Sequence, residues 1–170
     1  MFLELIAAFA AAFAAGGLVL GINLLTGGRL PRWAMPVAAG AALLGYAVWS
    51  EYTWFDRTVA TLPEGVEVGT VNRAQALWRP WTLVAPFVDR FAAIDTTSIR
   101  SNDAAPDMRI ADVYFFGRWS PRRRLDVVFD CAHARMAPLP SVTFAEDGTV
   151  RQAAWETVGE DDDALDKACA

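Results

Sequence analysis

The sequence predicts an α+β protein in which a two-helix transmembrane hairpin precedes a small antiparallel β-meander domain closed by a short C-terminal helix. Three observations predict it: an almost uncharged first third, a run of β-branched and aromatic segments after residue 90, and an acidic start to the last ten residues. The 170 residues are 54% hydrophobic, above the usage of soluble domains. That average hides two unlike parts. Residues 1–50 hold one acid, Glu4, and two bases, Arg29 and Arg32, so 19 of the 20 acids and 13 of the 15 bases lie in residues 51–170. The expected organisation is a transmembrane hairpin over residues 1–55, a Trp- and Pro-rich neck over 56–90 and a periplasmic β-rich domain over 91–170.

Residues 2–25 carry only Glu4 and Asn23 as strongly polar side chains, and as a helix they reach about 36 Å against roughly 30 Å of hydrocarbon. Glu4 falls in the first turn, where a carboxylate suits the positive end of the helix dipole. A secretory signal peptide is the competing reading, opposed by the lack of Lys or Arg before the apolar run and by its length. Gly27, Gly28 and Pro31 end this helix and force a tight connection. The second segment, residues 34–49, is uncharged but reaches only about 24 Å unless it borrows Trp33 and residues 50–55. Trp33 at one end and Trp49, Tyr52 and Trp54 at the other stand where interfacial aromatic anchors are expected. Arg29 and Arg32 set the topology: basic short loops stay in the cytoplasm, so both chain ends face the periplasm across a bacterial inner membrane. Small residues recur through both helices, among them Ala8, Ala12, Gly16, Gly21, Ala38, Ala42 and Gly45, and allow close approach either of the two helices to each other or of a further membrane helix.

The neck has no clear period. Trp78 and Trp81 are expected in the core, with the membrane interface or a partner surface as alternatives. Strands are expected over residues 91–101, 108–119 and 124–132, the last two separated by Ser120-Pro121, with Leu125, Val127, Phe129 and Cys131 on the buried face. A hairpin of residues 141–145 and 149–155 is expected around Glu146-Asp147-Gly148, whose Asp-Gly favours a tight turn. Three aspartates from Asp161 start the last helix and Lys167 closes it, matching its dipole at both ends.

Cys131 and Cys169 are the only cysteines, and topology puts both outside the cytoplasm. A disulfide between them encloses about 37 residues and is worth roughly 3 to 4 kcal/mol on a loop-entropy estimate. The competing arrangement, a metal site with His133, falls short of a four-ligand zinc set, and neither a metal nor another cofactor is expected. The segment 94–99 (Ile-Asp-Thr-Thr-Ser-Ile), the strand from Ile110 to Phe116, the Phe129-Asp130-Cys131 strand end and the terminal Cys169 together resemble the surface-adhesin protein E-like family of small proteobacterial envelope domains. The resemblance covers about 80 residues. It implies a β-rich fold with a disulfide and transfers no binding residues; at the N-terminus the membrane hairpin stands in place of a cleaved signal or lipid anchor.

An acidic domain argues against a nucleic-acid partner, since phosphate binding draws on basic surface. The run Arg122-Arg123-Arg124 is the exception, read as a solvated turn or edge ahead of an anion or lipid site. Asp126 and Asp130 are expected on the solvent face of one strand about 13 Å apart, too distant for shared acid chemistry, and His133 is the sole histidine. The expectation is a non-enzymatic protein whose partners are the lipid bilayer and other membrane subunits, an accessory or assembly component of a larger complex. The alternative is a free-standing envelope module that binds a ligand or surface.

Overall fold

The computed structural model describes residues 2–102, 105–145, 149–159 and 162–170 and divides into two compact units, residues 1–54 and 55–170. In the first unit, α1 (Phe2–Leu25) and α2 (Ala34–Val59, whose last turn belongs to the second unit) are joined by a short loop. Gly27 and Gly28, both at positive φ, close α1: the Gly28 amide donates to Asn23 O at 2.7 Å and the Gly27 amide to Leu24 O at 3.3 Å. These paired bonds satisfy terminal carbonyls in a turn that side-chain-bearing residues rarely adopt. The Asn23 side chain accepts from the Leu30 amide at 2.9 Å and so fixes the loop. The two helices meet at small residues. Ala12 and Gly16 are buried, a Cβ on Gly16 would touch Met35 at 3.7 Å, and Ser50 Oγ donates to Glu4 at 3.3 Å, which gives that acid a partner within its own unit.

The second unit is a six-stranded antiparallel sheet in the order β1 (Val66–Ala74), β2 (Phe87–Asn102), β3 (Ala105–Gly117), β4 (Ser120–Asp130), β5 (Arg135–Pro138), β8 (Glu156–Thr157). Chain order and sheet order agree, as in a meander, except that β6 (Thr143–Phe144) and β7 (Val150–Gln152) form a separate ribbon. Its Glu146-Asp147-Gly148 connection lies outside the described residues, as does Asp161. α4 (Asp163–Cys169) lies on one sheet face, where Leu165 and Ala168 join Ile94, Ala111, Val113, Val127 and Phe129 in the core.

Several expectations change. Residues 56–90 are not a separate neck: β1, the short α3 (Trp81–Val84) and the start of β2 lie there, within the β-rich unit. Strand β1 was obscured by Gly69 and Asn72, and Gly69 has a structural cause, since a Cβ there would stand 2.7 Å from the Ala164 Cβ. The missing side chain lets α4 settle onto the sheet. The β3 to β4 turn is Arg118-Trp119, with Gly117 opposite Ser120, so Ser120 and Pro121 belong to β4. Along β4, strand β5 pairs with Val127 to Asp130, so Pro121 lies on an open stretch where a missing amide donor is tolerated.

Candidate functional site

A row of aspartates lies on the sheet face opposite α4. Cross-strand partners share a face, and the register sets Asp95, Asp112 and Asp126 side by side on β2, β3 and β4. Three like charges in a row are unfavourable unless something relieves them. For Asp95, Oδ1 accepts from Thr97 N at 3.0 Å and Thr97 Oγ1 at 2.5 Å, turning the group into its own loop. The same loop places Ser98 Oγ to accept from the Asp112 amide at 2.9 Å and brings Arg100 to 3.8 Å from Asp112 Oδ1. Arg124 donates to Asp112 Oδ2 at 2.5 Å. Asp112, with a side chain only 7% exposed, is thereby held between two arginines. The Asp126 carboxyl facing it, and then its burial, raise its pKa above the ordinary carboxylate value against the pull of Arg124 and Arg100.

A second ionic cluster contradicts the sequence reading of Asp130. This residue is fully buried rather than solvent-facing; Arg135 Nε donates to its Oδ2 at 2.6 Å, and His133 Nδ1 lies 3.0 Å away. Burial pushes its pKa up, but the hydrogen bonds from Arg135 and His133 outweigh that and hold it below the ordinary value. Asp130 and Asp126 therefore do different work: one is a buried structural anion, the other half of a carboxyl pair with Asp112. The pairing of Asp112 with Asp126 escaped the sequence reading because it depends on strand register, and adjacent strands bring together residues 14 positions apart.

Beside this cluster Cys131 and Cys169 form a disulfide with their Cα atoms 5.8 Å apart. It joins the end of β4 to the last residue of α4. Both sulfurs are therefore committed to each other and His133 to Asp130, which removes the alternative of a shared metal site for these three residues. α4 is held elsewhere too: Asp162 caps it, accepting from Ala164 N at 2.9 Å and from Thr70 Oγ1 at 2.9 Å, and Lys167 Nζ donates to Val68 O at 2.8 Å.

The tryptophans separate into two kinds. Trp33 and Trp49 are exposed, as interfacial anchors would be, whereas Trp54 is buried and offers no ring to an interface. Trp78 and Trp81, expected in the core, are exposed instead. Their loop is pinned by the fully buried Thr82, whose Oγ1 donates to Arg79 O at 2.8 Å and accepts from the Ala76 amide at 2.9 Å. With Thr82 turned in, Leu77, Trp78, Leu83 and Val84 turn out; Trp78 is 74% and Val84 90% exposed, and the Arg79 guanidinium stacks 4.1 Å from the Trp78 ring centre. Arg29 and Arg32 are exposed in the loop between α1 and α2.

On the α4 face, a groove of about 500 Å³ runs beyond the N-terminal end of that helix, lined among others by Phe115, Trp119, Arg90, Arg118, Arg123 and Asp162. Its cause is geometric. The seven residues of α4 span about 10 Å and pack Leu165 and Ala168 with Ile94, Val113 and Val127, and the groove opens further along the strands at Phe115 and Arg123.

Among the described residues, one helix, spanning Leu3–Leu25, is long and apolar enough to cross a membrane. Comparison of the chain with protein families, with curated proteins and with solved structures finds no match.

Proposed function

We propose that the protein is a non-enzymatic integral membrane protein of a bacterial inner membrane, an accessory or assembly subunit whose helical hairpin sits among other membrane subunits and whose β-rich unit faces the periplasm. The observation that carries this reading is the outward display of α1. Leu3, Leu5, Phe9, Phe13, Leu18, Leu20, Leu24 and Leu25 are all exposed, an arrangement that water penalises and hydrocarbon does not. On this reading α2 crosses with its apolar residues 34–50, and Arg29 and Arg32 hold the loop on the cytoplasmic side. The disulfide is of the kind that persists outside the cytoplasm.

The glycines favour a docked hairpin. Packing between α1 and α2 accounts for Gly16, but a Cβ on Gly17, Gly21, Gly40 or Gly45 would meet nothing within 4 Å. Their small size serves no contact within the pair, which suits close approach by a further helix. The exposed Leu77 to Val84 loop offers a second apolar surface to the same assembly or to the lipid interface. Reporter fusions test the topology: activity of a periplasm-dependent reporter at the C-terminus is expected, and activity only of a cytosolic reporter overturns it. Extraction in mild detergent tests the subunit reading, with a stoichiometric partner expected that Gly21→Leu and Gly45→Leu release. A monodisperse lone protein would favour a free-standing envelope module, for which the groove beside α4 is the specific support.

A further inference from the structure

The arginine run splits in space. Strand alternation sends Arg124 to the carboxyl face, where it binds Asp112, and Arg123 to the α4 face, where it lines the groove. There Arg123 stands opposite Phe115 in the strand register, Arg118 stacks 5.1 Å from the ring centre of Trp119, and Trp119 and Phe115 are both exposed. Among the described residues that line the groove two are acids, and both are engaged: Asp89 accepts from Arg90 Nε at 3.1 Å, and Asp162 accepts from Thr70 Oγ1 while capping α4. Aromatic walls, a cationic rim and compensated acids together favour a ligand with an apolar body and a negative head.

We propose that this groove binds a small amphipathic anion, a carboxylate or phosphate monoester carrying a short alkyl chain, with the chain against Phe115 and Trp119 and the head against Arg123. A volume of about 500 Å³ accommodates an eight-carbon chain and its head. The site lies wholly within the β-rich unit and stands whether or not the helices dock on a partner.

The test uses the full chain in phosphatidylcholine nanodiscs, titrated by equilibrium dialysis with octanoate, octyl phosphate and octanol against empty nanodiscs. Saturable one-to-one binding of at least one anion is expected; both binding assigns recognition to charge, and one alone identifies the head group. Arg123→Glu is expected to weaken binding at least tenfold and Arg151→Glu, on β7, to leave it unchanged. Should Arg123→Glu not fold, Arg123→Gln with an intact disulfide supplies the same comparison at an expected loss of about threefold or more. Octanol binding as tightly as the anions, unchanged binding in the Arg123 variants, or no uptake above empty nanodiscs would each overturn the proposal.

Discussion

The two units of this chain invert each other. In the helical unit, large apolar side chains point outward while Ala12 and Gly16 fill the contact between helices. In the β-rich unit, apolar side chains point inward, and even acids are drawn into the interior, as Asp112 and Asp130 show. The difference teaches that burial of apolar side chains organises the β-rich unit far more than the helical one. The β-rich unit gains from removing Ile94, Val128 and Phe129 from water, whereas the helices keep their backbone hydrogen bonds within each helix and leave much of the apolar surface of α1 exposed. Covalent and ionic ties accordingly concentrate in the β-rich unit, which must hold a seven-residue helix against a twisted sheet.

The comparison breaks most sharply at the disulfide. Cys169→Ser frees the end of α4 and is expected to cost the β-rich unit roughly 3 to 4 kcal/mol, seen as a lower Tm, while the helical signal of α1 and α2 persists. Equal loss of both signals would show that the units unfold as one. Asp130→Ala comes next. Removing a fully buried carboxylate that accepts from Arg135 and His133 is expected to cost about 2 to 4 kcal/mol, measured by denaturant unfolding of the same unit. A cost below about 1 kcal/mol would mean that the cluster repairs itself with water. Smaller again is Gly69→Val. Its added carbons strike Ala164, so α4 must lift or slide, at an expected cost of about 2 kcal/mol, with faster reduction of the Cys131–Cys169 bond as the local readout.

The fold was legible in the sequence to the extent that its signals were local. The apolar run from Leu3, the glycine stop at Gly27 and the aspartate cap of α4 each depend on residues within a turn, a helix or a strand, and each stands where it was expected, whereas the alternation expected in β4 does not appear, since Val128 and Asp130 are buried beside Val127 and Phe129. The disulfide followed from there being only two cysteines. What stayed hidden depends on tertiary placement. Strand β1 reads poorly because Gly69 serves a helix almost a hundred residues later, and Trp78 and Trp81 look like core residues until Thr82 is seen to take the buried place. The carboxyl row is invisible to spacing because only the register, together with the loop between Asp95 and Arg100, brings Asp112 to its partners. The groove is likewise a matter of length, an α4 too short to cover the sheet beneath it.

The subtlest contrast is electrostatic and lies inside the β-rich unit, between its two buried acids. Asp130 has a folded pKa below its ordinary value, so the stability it supplies is present above that value and is lost as pH falls toward the folded one. Asp112 has the opposite sign. Its folded pKa is raised, so the folded protein holds a proton that the unfolded chain releases, and the contribution of this group shrinks as pH rises from the ordinary carboxylate value to the folded one. Asp112→Asn keeps the shape and removes the titration while retaining a hydrogen-bonding group toward Asp126 and Arg124. The expected result is a small change in stability at acidic pH and a flatter stability profile above the ordinary carboxylate value, with Asp126→Asn acting in the same direction by relieving the like-charge neighbour. Unfolding midpoints measured across pH 4 to 7 check this; a variant whose profile parallels the wild type would show that Arg124 and Arg100 neutralise the pair with no rise in the Asp112 pKa.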